Sequence, residues 1–328
     1  MKNIIGFVLI DAPHSALNNA GTDTSSKTDN TIAVKTIRVG KNTYPYVSAQ
    51  AWRYWWRETI KRKTNREMSP ISREEKIAFT YVNPFKYIDD DIFGYMRALE
   101  KKSGGTLTRI SPLKNSPLIS IYNQTPTNDY GVMSRQEGNP VPYEHEFYSV
   151  ILKGIFSLDI SNIGVFSLIN KTGYKNLDES YVEKINDSIK ETNSFYDENN
   201  KEYHLPKEER IKRIQDTLIA LPYLSGGAKQ TLHHTDVTPK FVILTVIEGG
   251  NNLFMNIVNE NISSQLDQKV INFDALNSIL NDYNDIILSD IYIGRNEGFL
   301  DNLKEEIINL KDNNSKIKID TVKKTIET

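Results

Sequence analysis

The first feature of the chain is an apolar run from Ile4 to Ile10 that Asp11 stops. It is far shorter than the ~20 residues that cross a bilayer, so it predicts a buried strand over residues 1–12. Residues 13–31 (PHSALNNAGTDTSSKTDNT) show no apolar periodicity and read as a polar loop, of a length that inside a domain is functional or disordered. Residues 32–39 (IAVKTIRV) alternate roughly, as an extended arm or edge strand, and end in the turn at 40–42. The period then changes. Ala49, Trp52, Trp56 and Ile60 fall at i, i+3, i+7 and i+11, while Gln50, Arg53 and Arg57 fall at i, i+3 and i+7 beside them. One helix over 49–63, N-capped by Ser48, then carries an aromatic core stripe next to a cationic one. Trp52 and Trp56 are assigned to the core, whereas Tyr54 and Trp55 stand between core and surface stacking.

From Arg66 to Glu144 the texture is one of short pieces, punctuated by Pro70, Pro84, Pro112, Pro117, Pro126, Pro140 and Pro142, as expected of an inserted mixed subdomain. Residues 146–160 alternate as a long strand, and 177–192 and 207–221 read as helices of a second insertion. A glycine-containing loop at 221–239 leads into KFVILTVIEGG at 240–250, the clearest β run. A helix is predicted over 269–283, a strand over 286–294, a helix over 297–310, and a loosely ordered tail from 311. Without the insertions the order is strand, helix, strand, strand, helix, strand. This is the split βαβ order of α+β ferredoxin-like folds, shared with RNA-recognition modules.

Composition changes this picture in two places. The chain has 328 residues and no cysteine, which excludes disulfide scaffolds, iron–sulfur clusters, thiolate zinc sites and cysteine nucleophiles. With no membrane-length segment and a mean hydropathy of −0.48, a reducing cytoplasmic location is expected. The net charge of −2 conceals a segregation. Between Thr31 and Arg66 nine basic residues (Lys35, Arg38, Lys41, Arg53, Arg57, Lys61, Arg62, Lys63, Arg66) stand against the single acid Glu58. A basic run is often only a solvated face, but here the helical spacing gives the arginines a fixed platform.

Nucleotide and catalytic motifs are missing: there is no P-loop, G-x-G-x-x-G, H-E-x-x-H, G-x-S-x-G or EF-hand loop. His233 and His234, adjacent in sequence, point to opposite faces of an extended chain and read with Asp236 as a polar loop, not a metal site. Asp89, Asp90 and Asp91 read as a solvated helix start, favoured by the N-terminal dipole, with Ile92 and Phe93 as its apolar residues. Asp23 and Asp29 lie in the first long loop, but a two-metal nuclease needs several converging carboxylates.

The stretches YPYVSAQAWRYWWRETI (44–60), DIFGYM (91–96), RISPLKNSPLISI (109–121), HEFYSVILKGIFSLDISNIGVF (145–166) and LSGGAKQTLHHTDVTPKFVIL (224–244) together resemble the DevR subfamily of the seventh CRISPR-associated (Cas) protein family. Members of that subfamily form the multi-copy backbone of type I-B Cascade. The resemblance implies an α+β fold: a modified RRM (ferredoxin-like) palm at 1–63, 146–166 and 239–310, a helical fingers insertion at 64–145, a thumb-containing insertion at 167–238, and a loose tail at 311–328. It implies guide-backbone contacts by Ser48, Gln50, Arg53 and Arg57, further contacts in the region of Asn19, Lys35 and Arg38, and a glycine loop with Gly226, Gly227, Lys229 and Gln230. Two glycines exceed what a helix cap needs, and a cation and an amide follow them, so this loop is expected to touch the guide or a neighbouring subunit. The implied partners are CRISPR RNA, target DNA through guide pairing, further copies of the chain and other Cascade subunits, with no membrane, cofactor, metal or catalytic residue. The competing reading is a metal-dependent RNA-cleaving or RNA-processing nuclease of similar fold. Backbone subunits of type III complexes place a cleaving aspartate in a loop ahead of the first helix, where Asp29 lies; type I systems leave target destruction to a separate helicase-nuclease, so Asp29 is read as structural or incidental.

Overall fold

Strand β1 (Lys2–Ser15) is buried on both faces, which is why its sequence is a continuous apolar run and not an alternation. Val8, Ile10 and Ala12 face one core, and Ile5, Phe7 and Leu9 face another. The computed structural model describes residues 1–22, 31–74, 77–98, 105–171, 175–259 and 269–328. Within them follow β2 (Thr36–Val39), β3 (Asn42–Val47), α1 (Ala49–Thr64), α2 (Ile88–Ile92), β4 (Leu113–Asn115), β5 (Leu118–Ser120), β6 (Thr127–Met133) and β7 (Val141–Asp159). Then come α3 (Lys207–Ile219), α4 (Gln230–His233), β8 (Phe241–Glu248), α5 (Phe273–Asp282), β9 (Ile291–Arg295), α6 (Lys304–Asn313), β10 (Ile317–Asp320) and α7 (Val322–Glu327). The fold is mixed α+β around one large mixed sheet.

The main path of that sheet runs β10-β9-β8-β1-β7-β5-β3-β2, antiparallel except for β9 with β10. The register sets Val8 of β1 opposite both Gly154 of β7 and Val242 of β8. Its centre, β8-β1-β7-β5, joins the fourth, first, third and second strands of a β-α-β-β-α-β unit whose helices are α1 and α3. Both helices lie on one face: Trp52, Trp56 and Ile60 of α1 share a core with Ile214 and Leu218 of α3. Trp52 and Trp56 are stacked at 5.6 Å, Trp56 meets Phe156 edge-on at 5.1 Å, and its indole Nε1 donates to Thr217 O at 2.7 Å. At Gly154 any Cβ would come within 2.5 Å of Leu118 and 3.0 Å of Trp52, so the bare backbone lets α1 settle on the sheet.

The sequence reading chose a different second helix and fourth strand. It assigned these to 269–283 and 286–294, but β1 pairs with β8, and β9 lies beyond. The segment after β8 instead covers the opposite face of the sheet, where Phe254 and Ile257, then Leu276 and Leu280 of α5, and Ile307 and Leu310 of α6, bury Ile5, Phe7, Leu9, Phe241 and Ile243. The tail from 311 is built into the fold: β10 extends the sheet, and α7 buries Val322 against Gly294. Among the described residues of 64–145 the implied helical character is also absent. These residues carry the hairpins 71–74 with 77–80 and 95–98 with 106–109, and one five-residue helix, α2.

The triple aspartate departs furthest from its reading as a solvated helix start. Asp89, Asp90 and Asp91 are 6%, 0% and 0% exposed. The Asp91 carboxylate accepts from Arg109 Nη2, from Arg213 Nη1 at 2.8 Å and from the Gly164 N–H at 3.0 Å. Arg213 also donates to Pro84 O and Phe85 O at 2.6 Å each, and Arg109 to Val165 O at 2.8 Å and Asn162 O at 2.9 Å. Outward the network continues through Glu209, which holds Arg213 at 2.9 Å and Arg66 at 2.8 Å. These ties, with a core shared by Val82, Phe85, Tyr95 and Leu107 on one side and Phe166, Leu177 and Leu205 on the other, fasten residues 66–115 to the segment that contains α3.

Asp91→Ala is expected to lower the unfolding free energy by about 3–5 kcal/mol, because it leaves the buried Arg109 without its anion and Arg213 with Glu209 alone. Trp52→Ala is expected to cost a similar ~3–5 kcal/mol through the cavity it opens. Urea titration of each variant measures both; an Asp91→Ala protein as stable as the wild type would show the network to be dispensable.

Candidate nucleic-acid interface

Helix α1 begins where expected and for the expected reason: the Ser48 hydroxyl accepts from the Ala51 N–H at 3.3 Å, and Asn65 ends the helix in the left-handed region at φ 53°. Trp52, Trp55 and Trp56 are all buried, so Trp55 is core, while Tyr54 is 57% exposed. Gln50, Tyr54 and Lys61 form an outward ridge with Arg57 half-buried along it. The two flanks of this ridge are walled.

One wall is the 91–115 segment. Arg53 turns into it and commits its guanidinium to the chain, donating to Leu113 O at 2.6 Å, Asn115 Oδ1 at 2.9 Å, Ser111 Oγ at 2.8 Å and Phe93 O at 3.2 Å. Burial and the neighbouring Arg57 push its pKa down to about 10. Arg57 differs. Its Nε is buried without a hydrogen-bond partner, and among the described residues it joins no ion pair, although its charge partly opposes the upward shift that burial imposes on Asp89.

The other wall is the glycine loop. A Cβ on Gly226 would lie 2.3 Å from Trp55 Cδ1, so only glycine fits against the indole. Gly227 has φ +99°, and a Cβ there would lie 2.5 Å from Leu17 Cδ2. These glycines are not a helix cap, because α3 ends at Ile219 and a 3₁₀ turn, 221–223, intervenes. Ala228 N–H donates to Leu17 O at 3.0 Å, Gln230 Nε2 donates to Gly226 O, and Lys229 takes a left-handed φ of 55°.

Leu17 and Asn18, which the sequence reading did not single out, join these parts. Asn18 Oδ1 accepts from the Ser48 N–H at 2.8 Å and Asn18 O from the Lys35 N–H at 2.9 Å, so one residue ties the end of β1 to the approach to β2 and the start of α1. An asparagine pair at the end of a strand is the only local signal that could have flagged it. Asn19 beside it has a buried Oδ1 with no partner. The structure thus brings Asn19, Lys35, Ser48 and the loop with Gly226, Gly227, Lys229 and Gln230 around the first half of α1. Arg38 lies apart, exposed on the edge strand β2 opposite Thr43. Not all of the basic segment is free: Arg66 bridges Glu209 and Asp216 at 2.8 Å each, and Lys63 Nζ sits 3.6 Å over the Tyr223 ring. Asp23 and Asp29 lie outside the described residues.

An exposed cationic ridge between two fixed walls, free of paired carboxylates, suits a polyanion, and comparison with known proteins gives the class: this is a CRISPR-associated protein. The chain belongs to the DevR/Csa2 family, whose model, described as "CRISPR-associated negative auto-regulator DevR/Csa2", matches residues 12–265. Two solved structures share its fold. A chain of a "CRISPR RNA-guided surveillance complex" aligns with a TM-score of 0.50 and 12% identity, covering 91% of this chain and 92% of the other. A chain of a "CRISPR RNA-guided surveillance complex, pre-nicking" aligns at 0.54 and 10%, covering 91% and 94%. No curated protein matches the sequence.

Asp90 provides a pH-dependent check on this region. Burial raises its pKa from 3.8 to about 6; one oxygen accepts from the Asn83 N–H at 2.8 Å and the other has no partner. A carboxyl whose folded pKa is raised contributes no penalty below its unfolded pKa, and the penalty is full above the folded one. The wild type is therefore expected to lose ~3 kcal/mol of stability through this group between pH 4 and 7. Asp90→Asn, which keeps an acceptor for Asn83, should lack that loss. Parallel unfolding curves against pH for the two proteins would refute the assignment.

Proposed function

We propose that the chain is a non-catalytic RNA-binding backbone subunit of a type I-B Cascade surveillance complex, several copies of which line one CRISPR RNA in the cytoplasm, beside other Cascade subunits. The observation that carries this is the unpaired cationic ridge of α1, walled by the 91–115 segment and by the glycine loop. The β8-β1-β7-β5 unit with α1 and α3 on one face fits an RRM-like palm, with residues 64–145 as fingers and 167–238 as the insertion bearing the thumb. In RNA-recognition modules of the usual kind the bases stack on the open sheet face. Here that face is covered by residues 253–259 and 269–310, so the guide runs instead along α1. Arg57, Gln50, Lys35 and Lys229 meet its phosphates, Arg38 adds a more distant contact, and Arg53 braces the wall. Because spacers differ, contacts are to the backbone, and the guide bases stay available for pairing with target DNA.

Binding to a guide-length RNA should weaken with salt at a slope near −0.7 per phosphate contact, and Arg57→Ala should reduce that slope by about one contact while scrambling the spacer changes little. Filter binding across a salt series tests this; salt-insensitive or strongly spacer-dependent affinity would exclude backbone tracking. With Mg²⁺ present the RNA should stay intact. Cleavage that Asp29→Ala abolishes would establish the nuclease reading in its place.

A further inference from the structure

Two guanidinium groups lie over one aromatic ring with no ion-paired carboxylate among the described residues. Arg53 Cζ is 5.2 Å and Arg57 Cζ 5.0 Å from the centroid of Phe93. Like charges gathered at a largely buried site repel: the Arg53 pKa is lowered first by burial and then by Arg57, and the face of the ring offsets part of that repulsion.

Phe93 does not belong to α1, and α1 holds it at its carbonyl only. It closes α2, is 7% exposed, donates its N–H to Asp89 O at 2.9 Å and accepts from Arg53 at its own carbonyl. The next residue, Gly94, has φ +72°, and a Cβ there would lie 2.3 Å from Arg109 O. Arg109 is itself fixed by its Nε donating to Asp91 O at 2.9 Å. The buried ionic network therefore determines where the ring stands. Of the two arginines above it, Arg53 has its Nη donors engaged by four acceptors, whereas Arg57 has hydrogen-bond capacity left and a buried, unpartnered Nε.

We infer that Phe93 is a positioning residue for anion binding. Its ring holds the Arg57 guanidinium in one orientation along the ridge of α1, so the rotamer freedom that an arginine loses on meeting a phosphate is already lost in the free protein. Arg53 frames the ring and is not itself the phosphate ligand. RNA affinity then depends on the docking of residues 66–115. The inference rests on the RNA-binding reading for the identity of the anion, but not for the geometry.

Phe93→Leu keeps an apolar side chain and removes the π face, with Phe93→Met in reserve should the leucine variant not fold. Affinity for a 20-nucleotide oligouridine is expected to fall about five- to tenfold, with the salt slope unchanged because Arg57 still reaches a phosphate. Phe93→Tyr should restore it. In a double-mutant cycle the loss in Phe93→Leu/Arg57→Ala should equal that of Arg57→Ala alone; fully additive losses overturn the inference. The ligand-free protein supplies a reading independent of RNA. The Arg57 Hε resonance should be shifted by the ring current of Phe93 and return to the position of a solvated arginine in Phe93→Leu. An unshifted resonance overturns the positioning. A shifted resonance with tripolyphosphate affinity that falls in Phe93→Leu, but no oligouridine binding, leaves the anion site standing and removes the RNA reading.

Discussion

One buried carboxylate organises the molecule. Asp91 is completely removed from water and receives two arginines from opposite directions, Arg109 from its own segment and Arg213 from α3, more than a hundred residues later. Desolvating three charges is costly, and the arrangement is stable only because nearly every donor finds an acceptor: the carbonyls of Pro84, Phe85, Asn162 and Val165 complete the two guanidinium groups. Those carbonyls lie beside the small apolar core in which Phe85 packs on Phe166. The network adds directional bonds to that core and fixes the described part of the 66–115 segment in both position and orientation.

That orientation is transmitted to α1. The same segment presents Phe93, Ser111, Leu113 and Asn115 to Arg53, and forms one wall of the cationic ridge. The opposite wall depends on steric economy: Gly226 lies flat on Trp55, and Gly227 turns where Leu17 leaves no room for a side chain. The ridge is therefore shaped by two distant parts of the chain that meet only across α1. On the proposed function this rigidity has a use, since a subunit that follows an RNA backbone without reading bases needs its cations preset at fixed spacing.

Burial of the second sheet face has an equally direct consequence. The layer built by residues 253–259 and 269–310 removes Phe7, Phe241 and Ile243 from solvent, and with them any stacking surface on that face of the central strands. The three tryptophans of α1, Trp52, Trp55 and Trp56, are core, and the candidate nucleic-acid face is left mainly to cations, amides and bare backbone.

What the sequence determined by itself was local. The strand at the start follows from a short apolar run, and the helix from Ala49 with its Ser48 cap and its adjacent aromatic and cationic stripes from a period of 3.6 residues and one side-chain hydrogen bond, all readable within a dozen positions. Partnership over long separations was not legible. Which strands flank β1, whether the chain after 250 continues the unit or covers its back, and whether residues past 311 join a sheet depend on which apolar faces meet, and many segments present faces of equal quality. Charges were the least legible of all. Asp89, Asp90 and Asp91 carry the pattern of a solvated helix start, and Arg53 that of a surface cation, because a sequence states a residue's charge but not its acceptors; only the tertiary structure supplied Arg109 and Arg213 to Asp91 and four oxygens to Arg53, and so decided that these groups are buried.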